Sequence, residues 1–167
     1  MIPDTFDPPR TQDLGAFKLA VLAPCFAEQD FQAVRASADK LGNVFGPGNG
    51  WPAADMTFAE NLADLTRHAR EFDERVAFAY ALLSPSGDQY VGCLYIKPIK
   101  SRREHDHRKA LFQAQAFLWL NVMQDTVSDE SALTSIQTWV STTWPLANIA
   151  WPGRTQTWSE WEALASV

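Results

Sequence analysis

Residues 78–98, FAYALLSPSGDQYVGCLYIKP, carry the reading on which the fold turns. Two apolar runs, Ala77 to Ser84 and Gln89 to Ile96, flank Pro85-Ser86-Gly87-Asp88. Proline, glycine and aspartate in so short a gap favour a tight reversal, so the two runs are read as the arms of a β-hairpin. The segment before it, opened by Thr57 and Glu60, matches a helical capping box. Phe58, Leu62, Leu65, Ala69, Phe72 and Val76 then recur at spacings of three and four. Asp64, Arg67, Arg70 and Glu74 occupy the other face, the pattern of an amphipathic helix laid on a sheet.

Working outward, Ala16 to Pro24 alternates Phe17, Leu19 and Val21 with Lys18 and small residues and predicts a strand. A helix follows from about Glu28 to Leu41, with Phe31, Val34, Ala38 and Leu41 on one face and Gly42 at its stop. Residues 42–52, GNVFGPGNGWP, lack the Gly-Lys-Ser/Thr ending of a phosphate-binding loop and read as a connector that shapes a pocket. Beyond the hairpin, Pro98 to Lys109 is a charged, irregular loop. Gln115 to Met123, QAFLWLNVM, has little polar alternation and predicts a central strand. Ser128 caps a helix with Asp129 and Glu130 at its positive end and Leu133, Ile136 and Val140 facing inward. Ala147 to Trp151 is a short strand, and Thr157 with Glu160 caps a terminal helix. Residues 1–15, with three prolines and three aspartates by Asp13, read as an extended arm, and 16–167 as a single domain.

The chain has 167 residues, 46% hydrophobic and 20% charged, as a globular α+β domain requires. Its net charge is -6, which disfavours nucleic acid and anionic membrane as partners, because both select basic surface. A basic start followed by an apolar run is lacking, as is a stretch of membrane-spanning length, so a cytoplasmic location is the default expectation. Cys25 and Cys93 form no metal-ligand spacing and read as buried thiols. Seven tryptophans, four of them at Trp144, Trp151, Trp158 and Trp161, read mostly as packing residues.

The order strand, helix, helix, three strands, helix, strand, helix over about residues 16–165 resembles the GNAT N-acetyltransferases. The local matches are the opening strand FKLAVLAP, the helix with AEQDFQAV, and the hairpin, whose second arm carries Val91-Gly92 before an apolar run. The resemblance implies a mixed, mostly antiparallel central sheet flanked by helices. It also implies a V-shaped cleft where the strand ending at Met123 parts from Ala147–Trp151. An acyl-CoA such as acetyl-CoA would lie there, its pantetheine amides pairing with Leu120, Asn121, Val122 and Met123, and the acyl group would pass to an amine of a small molecule or peptide. The family's Gln/Arg-x-x-Gly-x-Gly/Ala loop for the diphosphate falls on Gln124-Asp125-Thr126-Val127-Ser128-Asp129-Glu130, which has three acids, no glycine and no basic residue. The family's base, a strand glutamate, and its acid, a tyrosine after the fifth strand, have no counterpart, so catalytic residues stay unassigned. A non-catalytic protein that binds a ligand or partner in the same cleft is the rival reading, and a homodimer stays open.

The remaining candidates follow from the residues. The loop carrying Lys97, Lys100, Arg102, Arg103, Arg108 and Lys109 is the strongly basic stretch of an acidic chain. It is either a solvated loop or a clamp for phosphates, with Arg102, Arg103 and Arg108 as its bidentate groups. Trp51, Tyr80 and Tyr95 are the candidates for the acceptor side, although each tyrosine reads more simply as a half-buried sheet residue. Glu104-His105-Asp106-His107 alternates like a metal tract but lacks further ligands, so no metal is expected. No G-x-S-x-G elbow supports serine catalysis.

Overall fold

The structure, a computed structural model, describes residues 1–101, 103 and 105–166. Six strands form one sheet in sequence order: β1 (Thr11–Asp13), β2 (Lys18–Val21), β3 (Phe78–Leu83), β4 (Tyr90–Lys97), β5 (Ala114–Leu120) and β6 (Ile149–Ala150). Every neighbouring pair is antiparallel except β5 and β6, which run parallel. The helices are α1 (Ala27–Leu41), α2 (Phe58–Asp73), α3 (Arg108–Leu111), α4 (Asp129–Thr143) and α5 (Trp158–Ala163). This is the α+β architecture expected from the alternation and capping signals.

Side chains of a strand alternate between its faces, and here both faces are covered. Phe78, Tyr80 and Leu82 of β3, with Ala116 and Leu118 of β5, join the core that α4 closes with Ile136, Trp139 and Val140. Ala79 and Ala81, with Cys93, Tyr95, Phe117 and Trp119, face the side covered by α1 and α2. Both capping boxes form: Thr57 accepts from the Glu60 amide and Thr157 from the Glu160 amide, while each glutamate accepts from its threonine amide. α2 buries Leu65 and Phe72 as its periodicity predicts, but Phe58 and Val76 at its ends are exposed. Asn61, a polar residue at the stripe's own spacing between Phe58 and Leu65, is buried with Leu65 and bonds Asp30.

The residues read as an arm are tied into the domain. Thr11–Asp13 adds an edge strand to β2, and the Arg75 guanidinium donates to the carbonyls of Pro3 (2.8 Å) and Phe6 (2.7 Å). Other boundaries shrink. The strand read as Ala16–Pro24 is Lys18–Val21, that read as Gln115–Met123 stops at Leu120, and that read as Ala147–Trp151 is Ile149–Ala150. The charged loop contains the helical turn α3. Of the two thiols read as buried, Cys93 is buried and Cys25 is exposed, because it lies in the turn before α1 rather than in β2.

Val91-Gly92 has a steric reason. A side chain at Gly92 would place its Cβ 2.1 Å from the Trp119 carbonyl oxygen of the paired strand. Gly92→Ala must push β5 off β4, so it should lower unfolding free energy by about 3 kcal/mol, seen as a fall in the urea midpoint at unchanged slope.

Candidate functional site

The parting of β5 from β6 defines the first half of the site. The two strands pair only at Ala114 with Ile149 and Gln115 with Ala150. The Asn121 amide donates to the Val91 carbonyl (2.8 Å), so the odd residues of β5 turn their backbone toward β4. By alternation Ala116, Leu118 and Leu120 turn theirs toward the side that β6 has left. A groove of about 250 Å3 lies there, lined by Lys40, Val44, Phe117, Leu118, Gly153, Arg154 and Trp158 among others.

Arg154 sits across this groove. Its guanidinium donates to the Leu118 carbonyl (3.0 Å) and forms a forked pair with the Asp129 carboxylate at the start of α4 (2.9 Å for one arm). Gly153 makes the turn possible, since a Cβ there would lie 2.7 Å from the Trp158 indole nitrogen, at a φ of +77°. The cation missing from residues 124–130 is therefore supplied from 25 positions further along the chain. Arg154 is a residue that sequence reasoning missed, because its meaning depends on the loop that folds it back onto α4.

The second half of the site is a cavity of about 400 Å3 between α2, the α1–α2 connector and the sheet. Phe45 and Trp51 of the connector meet Tyr95 and Trp119 of the sheet, with Phe45 and Trp51 centroids 5.2 Å apart. Phe117, whose ring packs 5.3 Å from Phe45, stacks on Trp158 at 6.3 Å. That ring stack separates cavity from groove. The glycine-rich connector shapes a pocket, as its composition suggested.

The cavity's polar residues come mainly from α2. Arg67 bonds Asp64 (2.9 Å) and Glu71 (3.3 Å), and His68 Nδ1 lies 3.5 Å from Glu71 Oε2. Burial, reinforced by the Arg67 charge, pushes the His68 imidazole down to about 4, so it is neutral at pH 7. Lys97, at the end of β4, is pushed down to about 8 by burial and by the nearby Arg67 and Lys100 charges. At the cavity floor, buried Asp30 accepts from the Tyr90 hydroxyl (2.6 Å) and from Asn61 Nδ2 (2.9 Å). Burial raises its carboxyl above the usual range despite these bonds.

The residues singled out from the sequence divide sharply. Trp51 and Tyr95 line the cavity. Tyr80 is on the opposite sheet face, fully buried, donating to the Pro9 carbonyl (2.7 Å), so it anchors the N-terminal segment instead. Both tyrosines are more buried than expected. Leu120 ends β5 beside the groove. The amides of Asn121, Val122 and Met123 already donate, to the Val91 carbonyl, to Ser37 Oγ (3.1 Å) and to Asn121 Oδ1 (3.1 Å). Arg103 reaches Ser166, and Arg108 is paired with buried Asp106 (2.7 Å) and lies over the Trp161 ring (4.9 Å). Their loop precedes β5, whereas the Arg154–Asp129 pair follows its far end, so the two basic features lie at opposite ends of that strand. Arg102 and Glu104 lie outside the described residues. Asp106 of the metal-like tract is engaged by Arg108, which holds its carboxyl well below the usual range.

This strand order, with the sheet parting between β5 and β6, is the fold of the GNAT acyltransferases. Among solved structures it is similar to the Salmonella typhimurium acetyltransferase that modifies the N-terminal serine of ribosomal protein L7/L12, with TM-score 0.56 and 11% identity over 79% of this chain and 68% of that one. It is similar also to a RimL L7/L12 α-N-acetyltransferase in complex with coenzyme A, with TM-score 0.55 and 14% identity over 75% of this chain and 63% of that one. The microcin C7 self-immunity acetyltransferase MccE, in complex with acetyl-CoA and AMP, gives 0.55 and 14% over 81% and 69%. No protein-family model and no curated protein matches the chain.

The His68 environment sets a pH dependence of stability. A base whose folded pKa is depressed binds fewer protons folded than unfolded between about 4 and the free value of 6.5, so its contribution falls as pH drops through that window. From pH 7 to 4.5, wild type should lose about 2 kcal/mol of unfolding free energy relative to His68→Gln, measured by urea denaturation at each pH.

Proposed function

We propose that the protein is an acyltransferase that moves an acyl group from an acyl-CoA in the groove to an amine in the aromatic cavity. The observation that carries this reading is the parting of β5 and β6 after Gln115, directly behind a walled cavity that holds a neutral histidine. The groove fits the pantetheine arm in part. Its β5 edge can pair with amides by strand addition, while Arg154 has taken the Leu118 carbonyl. The diphosphate end has the Asp129–Arg154 pair instead of a glycine-rich loop, so Arg154 is the group there that can meet phosphate. An acyl-CoA so bound supplies an activated thioester carbonyl.

The chain's own residues do the rest. Phe45, Trp51 and Tyr95 exclude water from the amine. His68 is unprotonated at pH 7 but weakly basic, so it can take the proton after the neutral amine has attacked and its nitrogen has become acidic, with Glu71 beside Nδ1 to orient the ring. The phenolic hydroxyl of Tyr95, which accepts from Trp119 Nε1 (3.3 Å), is the nearest fixed hydroxyl on the cavity's sheet wall. The acceptors named for the neighbours, a ribosomal-protein N-terminus in one case, make a primary amine the class to test here.

Incubation with acetyl-CoA and a panel of primary amines, followed by thiol release and mass spectrometry, tests the reading. Acetylated product should form, and His68→Ala should lower kcat by about 10²–10⁴-fold with the fold intact. No product from any amine, together with no CoA heat signal in calorimetry, would leave the cavity as a plain binding site. A separate expectation concerns the acids at α4. The pair Asp129→Asn and Glu130→Gln removes two charges that repel a diphosphate and releases Arg154. CoA affinity should rise by roughly tenfold, and the gain should shrink as salt is added.

A further inference from the structure

Lys97, half-buried, stands apart from Arg67, Arg108 and Arg154. Arg67 is held by Asp64 and Glu71, Arg108 by Asp106, and Arg154 by Asp129. Among the described residues Lys97 forms no ion pair, and neither does Lys100 beside it. The Lys97 ammonium lies over ring faces, 4.2 Å from the Phe45 centroid, 4.8 Å from Phe117 and 6.0 Å from Tyr95. Ring faces offset only part of the lost hydration, and an ammonium has three donors to satisfy. Lys97 and Lys100 both line the cavity, so the donors adjoin the space a ligand would fill.

We propose that Lys97 docks an anionic group of the acceptor, so that the cavity takes a small, amino-acid-like molecule that carries both a primary amine and a carboxylate. This rests on the reading of the cavity as the acceptor site. His68 and Lys97 both face the Tyr95 ring, at 5.4 Å and 6.0 Å from its centroid, so an amine at His68 and a carboxylate at Lys97 would belong to one small molecule. Aromatic walls between them suit an apolar framework. A volume of about 400 Å3 suits a molecule of that size. A carboxylate at Lys97 gives its ammonium the anionic partner it lacks among the described residues.

The pH dependence follows from the groups around Lys97. Arg67, His68 and Glu71 face it from α2, Lys100 from the following loop, and Gln115 opposes it on β5. Its ammonium is lost as pH rises through about 8 in the free protein, so carboxylate binding should weaken over that same range.

The test titrates the protein without CoA and reads the fluorescence of Trp51 and its neighbours. The probes are L-phenylalanine and 3-phenylpropionate against L-phenylalaninamide and 3-phenylpropionamide. Each carboxylate should bind at least about tenfold more tightly than its amide at pH 7, as a charge-assisted bond predicts. The preference should disappear in Lys97→Met, persist in Lys97→Arg, and decline above pH 8. Equal binding of acids and amides, no binding of either acid at millimolar concentration, or a preference retained in Lys97→Met overturns the proposal. The two readings fail separately. A carboxylate preference with no acetyl transfer counts against the acyltransferase alone. Transfer to amines with and without a carboxylate at equal kcat/KM counts against the Lys97 site alone.

Discussion

The unpaired outer edge of β5 is the constraint to which the rest of the structure answers. β6 begins a parallel ladder and abandons it after Gln115, leaving backbone groups on a buried central strand without a neighbouring strand. Buried carbonyls are costly to leave unbonded, so such an edge persists only if something else reaches it. Here Arg154 does so, and it can because Pro152 and Gly153 turn the chain sharply after Trp151. The same guanidinium fixes the first residue of α4 through Asp129, so the free edge of β5 and the start of α4 are joined by one side chain. Stability and access are thereby opposed: the contact that completes the fold occupies the edge on which a strand-adding ligand depends.

That opposition alters the meaning of the acidic α4 start. In the sequence alone, Asp129 and Glu130 read as charges set against a diphosphate at a positive helix end. In the structure Asp129 is half of a forked ion pair, and an anion arriving there meets a guanidinium as well as a carboxylate. Arg154 is partly exposed, so the pair is not a deeply desolvated one and its exchange for another anion is affordable. The groove is therefore better described as latched than as repulsive.

Much of this was legible from local chemistry, and the limits were physical. The hairpin and both capping boxes are short-range patterns, and each formed where the residues placed it, whereas the amphipathic stripe of α2 holds at Leu65 and Phe72 and fails at Phe58 and Val76. The Val91-Gly92 pair was visible as a motif, but its cause, the Trp119 carbonyl 2.1 Å from a would-be Cβ, belongs to another strand. Tyr80 and Tyr95 look alike in sequence, both on apolar strands. The parity of each strand in the sheet sends one to the N-terminal segment and the other to the cavity. His68 gave only a helical, amphipathic signal, and its neutrality depends on burial beneath a connector of irregular sequence. Basic residues were counted correctly in the loop after β4, but whether a cation is available depends on its partner, and Arg108 has Asp106.

Partnering is also what distinguishes the two ends of the site. At the groove, cation and acid already satisfy each other, so a ligand must compete with an existing bond. At the cavity, Arg67 is bracketed by two acids while Lys97, among the described residues, forms no ion pair and lies over aromatic faces, so a ligand there completes an incomplete set. A charged group that gains a partner on binding contributes more than one that exchanges partners, because only the exchange must first break a bond. The cavity is consequently the place where this chain's own side chains are left to select a ligand, and the groove is the place where they are already engaged.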